Sequence, residues 1–120
     1  MTSKRQSAIA KAVTRFIPQV PFYDAEAIRR RAAQKHLRNL PPDTAVWLTI
    51  IAYIRHIYTN YDALRDEGYE IEAARFFVRN AINSKLQQWR ASRFLMIEEA
   101  QTATANELEN NGKSRQERKI

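Results

Sequence analysis

"TIIAYIRHIYTNYDALRDEGYE", residues 49 to 70, begins as an apolar helix and then interrupts itself with Arg55, His56, Thr59, Tyr61 and Asp62. Extended upstream to Thr44 and wound at about 100° per residue, it sets Val46, Trp47, Ile50, Ile51, Ile54, Ile57 and Tyr58 in one wide arc. Leu48 and Ala52 fall on the far side. Apolar residues on both sides require burial on both sides, so the segment is expected to be a central helix with the others packed around it. Asp43 or Thr44 is placed to cap its start after Pro41 and Pro42, and it should run to about Thr59 or beyond.

Upstream, Ile9, Val13, Phe16 and Ile17 recur at helical spacing, Ser3 is positioned as a cap, and Pro18 ends the pattern, which places a first helix over about residues 4 to 16. Asp24 precedes "AEAIRRRAAQKHLR", where it can accept from the free amides of a first turn, and Glu26 suits the positive end of the dipole. A second helix is therefore expected over about 25 to 38. Downstream, Gly68 interrupts the chain after "YDALRDE", and Glu70 or Glu72 opens a long fourth helix. Ile71, Ala74, Val78, Ile82, Leu86, Trp89 and Met96 keep one of its faces apolar to about Ala100. With two Gly, four Pro and no bounded period-two alternation, the expected fold class is all-α. The pattern predicts a single compact domain of about four helices with a long C-terminal helix over residues 1 to 104. Residues 105 to 120 are then a disordered charged tail, because "NELENNGKSRQERKI" has no usable apolar period.

A chain of 120 residues fits one core, burying roughly two thirds of its unfolded surface. The absence of cysteine rules out disulfides and thiolate chemistry. "MTSKRQSAIAKAV" lacks the apolar region of a secretory signal, and the run "TAVWLTIIAYI" is shorter than the ~20 residues a bilayer requires. A cytoplasmic location is expected.

Thr59 and Asp62 fall within ~40° of Arg55 if the central helix continues through them. A buried guanidinium must be paired and hydrogen-bonded. Asp62 is the nearest candidate, across about 10 Å of helix rise, with an acid on another helix as competitor. Thr59 can instead cap "NYDALRDEG", and Tyr61 can pack its ring. The cluster is either a polar lock between helices three and four or the lining of a pocket.

The pattern Arg55-His56, Thr59, Tyr61-Asp62, Leu64, Gly68, Ala74-Arg75, Val78, Leu86, Trp89 resembles the conserved block of an uncharacterised family of bacteria and fungi, domain of unknown function 2293. The resemblance covers about residues 45 to 90; Arg65 and Ile71 depart from it, standing where the family usually has Leu and Arg. It carries no activity with it. What it implies is that the Arg-His, Thr and Tyr-Asp positions work as a unit.

His36 and His56 are the only imidazoles, and acid–base chemistry would need one of them beside Asp62, Asp66, Glu67 or Glu70. No HExxH, paired-His spacing, glycine-rich phosphate loop or Gly-x-Ser-x-Gly elbow exists in the sequence. The reading therefore assigns no catalytic residue, metal ligand or cofactor, and an enzyme using His56 and Asp62 ranks third among the possibilities.

The formal charge of +7 sits in residues 1 to 60, with ten Lys or Arg against three acids. Arg29, Arg30, Arg31, Lys35 and Arg38 crowd the second helix, while Lys4, Arg5, Lys11 and Arg15 lie on the first. Arg75, Arg79, Arg90 and Arg93 would share about 60° of the fourth helix. Such groups suit phosphates, and without a recognition-helix or stacking motif the expected contact is sequence-independent. The leading function is thus a small basic binding module for nucleic acid or another polyanion; the competing explanation for the charge is an ordinary solvated surface. The alternative function is a protein-interaction or scaffold domain. It follows from "FLMI", residues 94 to 97, whose apolar side chains point all around a helix and need a cover, either by folding back or, preferably, from a second copy.

Overall fold

Pro42–Tyr58 occupies the middle of the computed structural model, which describes residues 3–96. Around it, in chain order, stand α1 (Lys4–Phe16), α2 (Phe22–Ala32), a turn of 3-10 helix (Lys35–Leu37), α3 itself (Pro42–Tyr58), α4 (Tyr61–Asp66) and α5 (Ile71–Gln88). The described residues contain no strand, and together they form one all-helical globule. α3 packs against α1, α2, α4 and α5. Val46, Ile50, Ile51 and Ile54 are sealed from solvent, and each such aliphatic side chain stabilises the fold by roughly 1.5–3 kcal/mol relative to exposure. None of the described helices is long and apolar enough to cross a membrane.

Local chemistry sets most of the boundaries. Ser3 and Gln6 form a reciprocal capping box at α1, with the Gln6 amide donating to Ser3 Oγ (3.0 Å) and the Ser3 amide to Gln6 Oε1 (3.1 Å). α2 starts at Phe22 rather than Ala25, because Pro21 holds the extended backbone of a cap and its carbonyl accepts the Ala25 amide (2.9 Å). It also stops at Ala32, since Gln34 turns extended before the 3-10 turn. Pro41 and Pro42 likewise begin α3 without a side-chain cap; Asp43 reaches Arg15 of α1 instead (2.6 Å).

The central helix does not run through Asp62. Thr59 leaves the helical region, its Oγ1 donating to the Arg55 carbonyl (2.5 Å) and accepting the Tyr61 amide (3.1 Å), so that one hydroxyl both ends α3 and starts α4. Gly68, at φ 103°, closes α4 by sending its amide to the Arg65 carbonyl (3.0 Å) and the Tyr69 amide to that of Leu64 (3.1 Å).

α5 ends at Gln88, not near Ala100. Arg90 adopts φ 59° in the same kind of reversal, with its amide on the Gln87 carbonyl (3.0 Å) and that of Ala91 on Leu86 (2.9 Å). The returning chain is tied down by Ser92 N–H to the Phe16 carbonyl (3.0 Å). A reciprocal amide pair follows, Leu95 N–H to Asn83 Oδ1 (2.8 Å) and Asn83 Nδ2 to the Leu95 carbonyl (3.0 Å). Part of "FLMI" is thereby covered by its own domain: Leu95 is 2% exposed, while Phe94 and Met96 remain open. Ile97, the stretch expected to complete a domain to residue 104, and the expected tail of residues 105 to 120 lie outside the described residues.

Candidate functional site

Arg55 sits on the last turn of α3 and is 0% exposed. Its guanidinium carbon lies 5.6 Å from the centre of the Tyr61 ring, and that of Arg75, from α5, lies 5.8 Å from the same ring. One phenol of α4 thus holds a cation from each neighbouring helix. Arg55, Arg75 and Glu70 each make a further interaction. With the Thr59 bridge, these side chains make the junction of α3, α4 and α5.

Asp62 does not belong to that buried group. The break at Thr59 and Asn60 redirects the chain, and Asp62 Oδ1 lies 2.8 Å from His56 Nδ1 on a surface where both side chains are substantially exposed. The His56 ring meets Tyr61 edge-on at 5.3 Å. The residues of the resemblance are therefore together, but as two layers: Arg55, Thr59, Tyr61 and Arg75 inside, His56 and Asp62 outside. The Tyr61 hydroxyl, buried, has no hydrogen-bond partner among the described residues, so its ring rather than its hydroxyl secures the junction. Chemically the outer layer is an oriented imidazole in water. Among the described residues no three His, Cys, Asp or Glu side chains are gathered in a way that could hold a metal.

A second constellation escaped sequence reasoning. Asp24, inside the first turn of α2, is 4% exposed and accepts hydrogen bonds on Oδ1 from Tyr53 (2.5 Å) and Tyr58 (2.9 Å), both on α3. Burial, the hydrogen bond to Asp24 and its negative charge push the Tyr53 hydroxyl well above the ordinary tyrosine pKa, against a smaller opposing effect of Arg31, whose guanidinium lies 5.1 Å from the ring centre. Tyr58 is raised for the same leading reasons, with a contribution from Tyr23. Lys85 places its ammonium 4.2 Å from the Tyr58 ring and 5.9 Å from that of Trp89. The group joins α2, α3 and α5 around one carboxylate. The only local signal was the Asp before "AEAIRRR", which also fits a cap.

The basic candidates separate. Arg30, Arg31, Lys35 and Arg38 are exposed, and Arg29 is half-buried against Glu26 (2.5 Å). Arg5 Nη2 donates to the Leu37 carbonyl (2.9 Å), which brings the first turn of α1, with exposed Lys4, beside Lys35, His36 and Arg38. The expected arginine stripe on α5 does not form, because the helix stops before Arg90 and Arg93. Arg75 is 4% exposed, Arg79 is half-buried, Arg90 occupies the chain reversal and Arg93 stacks on Trp47 at 4.3 Å. Burial lowers the Arg93 pKa. Among the described residues the exposed acids are Asp43 on α3, which pairs with Arg15, and Asp62, Asp66, Glu67, Glu70 and Glu72 on α4, the turn after it and the start of α5.

The fold and its polar clusters define a small all-helical domain in which charged and hydroxyl side chains clasp helix to helix. The model of the family described as "Uncharacterized conserved protein (DUF2293)" matches residues 12–90, and the chain belongs to that family. The match reaches upstream of the expected block to include the Asp24 cluster, and it stops where Arg90 reverses the chain. No curated protein and no solved structure matches the chain.

Proposed function

We propose that the protein is a small, non-enzymatic binding module that contacts nucleic acid or another polyanion through the end of the molecule built by the start of α1, the end of α2 and the 3-10 turn. The observation that carries this reading is the gathering of exposed Lys4, Arg30, Arg31, Lys35 and Arg38 there, on elements separate from the acids of α4 and α5. Arginine forks and counterion release then supply affinity without base readout. Fluorescence anisotropy with duplex DNA and RNA, at low and moderate salt, tests it. Binding on the order of micromolar at low salt is expected, weakening as salt rises. A titration flat through micromolar protein at low salt would overturn it.

A second reading, a self-association module, is favoured by Phe76 and Phe77, which stand 55% and 58% exposed on α5.

A further inference from the structure

From Ala73 to Gln88 the solvent face of α5 carries no charge; exposed Glu72 lies at its N-terminal edge. Between Ala73 and Trp89 its exposed residues are Phe76, Phe77, Asn80, Ala81, Ser84, Gln87 and Gln88, and all three charged residues of that span are drawn inward. Arg75 is buried, while Arg79 and Lys85 are partly buried, Lys85 lying over Tyr58 and donating to Gln88 Oε1 (3.0 Å). In a chain with a formal charge of +7, two copies repel wherever basic surfaces meet. This face is exempt from that repulsion. An isologous contact sets a patch against itself, so a surface without charge suits a second copy better than it suits a charged partner.

The pattern along the helix is also self-complementary. The two phenylalanine rings stand 6.1 Å apart, Phe77 meets Tyr69 edge-on at 5.6 Å, and small side chains flank the rings at positions 73, 80, 81 and 84. We propose, resting on the self-association reading above, that α5 packs antiparallel against α5 of a second copy. The two-fold axis then passes between residues 78 and 79. In that register Phe77 faces the partner's Asn80 and Ala73 the partner's Ser84, so a ring meets a small polar residue and the remaining contact line is small enough for close helix approach. A parallel arrangement instead aligns the two helix dipoles, which disfavours it.

Sedimentation of the full chain over a wide concentration range, joined to cysteine cross-linking in this cysteine-free sequence, tests the proposal. The mass is expected to rise from 14.0 kDa toward twice that value with concentration. Phe77→Glu, at an exposed position, is expected to weaken association by about thirtyfold or more while leaving the thermal midpoint in place, as loss of a central aromatic contact does. Ala73→Cys mixed with Ser84→Cys should give a disulfide-linked pair, whereas Ser84→Cys alone should not. A monomer at every concentration overturns the self-association reading and the proposal with it. A dimer indifferent to Phe77→Glu leaves the reading standing and removes this face. Self-cross-linking of Ser84→Cys would overturn the antiparallel register.

Discussion

Asp24 accepts two phenolic hydroxyls on one buried oxygen, so its loss breaks two bonds between α2 and α3 at once. Hydrogen bonds to an ionised group contribute about 1.5–3 kcal/mol each, so Asp24→Ala is expected to cost about 3 kcal/mol in denaturant melts. The same contacts set a pH limit. Tyr53 and Tyr58 are raised above their ordinary value of 10.0, chiefly by burial, so the folded state holds protons that the unfolded chain releases first. That stability is complete below about pH 10 and is lost as pH climbs through the raised folded values. Denaturant midpoints are expected to fall as pH rises above about 10, less steeply in Tyr53→Phe. An equal slope in that variant would show the hydroxyl is not the group responsible. Arg55 and Asp62 make a contrasting pair. Arg55→Ala removes a fully buried guanidinium and is expected to cost about 3 kcal/mol, while exposed Asp62→Ala stays within about 0.5 kcal/mol. Similar losses in the two variants would mean that Asp62 belongs energetically with the buried Arg55 rather than with His56.

At the scale of elements, what was legible in the sequence was whatever local pattern decides. The Ser3 cap and the Ile9, Val13 spacing place α1 where it lies, and apolar residues around the whole circumference of α3 mark it as central. The stop at Gly68 is a glycine signal of the ordinary kind. The Arg55, Thr59, Tyr61 and Arg75 junction was legible as a group but not as a geometry, because one Thr59 hydroxyl, making two bonds, decides that α3 stops. Asp24 was misread for a related reason: its partners lie 29 and 34 residues away, beyond any local rule. The end of α5 was hidden because Trp89 and Met96 continue the apolar period while neither Gly nor Pro marks the turn. Arg90 supplies the left-handed residue at φ 59°, a conformation that costs a side chain about 1 kcal/mol and costs glycine almost nothing. Arg90→Gly is therefore expected to raise stability by about 0.5–1 kcal/mol, read as a higher thermal midpoint. A lower midpoint would mean that the Arg90 side chain contributes more than its backbone strain removes.

For the whole molecule, the separation of charge converts position into a measurable exponent. The basic end presents Arg30, Arg31, Lys35 and Arg38, with Lys4 beside them, while Arg65 on α4 donates to the Tyr69 carbonyl amid the acids of the other side. If four of the basic groups neutralise phosphates on duplex DNA, log K falls against log salt with a slope of about −4. Replacing Arg31 or Lys35 with Ala should then lower the magnitude of that slope by about 1 each, and weaken binding evenly across sequences, because backbone contacts read no bases. Arg65→Ala should leave it unchanged. The antiparallel α5 pairing adds a further dependence, since a dimer carries two such ends on one particle and a long duplex can engage both. Anisotropy titrations across a salt series, run on the wild type and these three variants, distinguish a localised basic end from diffuse attraction to net charge. Equal slope changes in Arg31→Ala, Lys35→Ala and Arg65→Ala would mean that the charge acts as a sum, and that the end built by α1, α2 and the 3-10 turn is not where the polyanion lies.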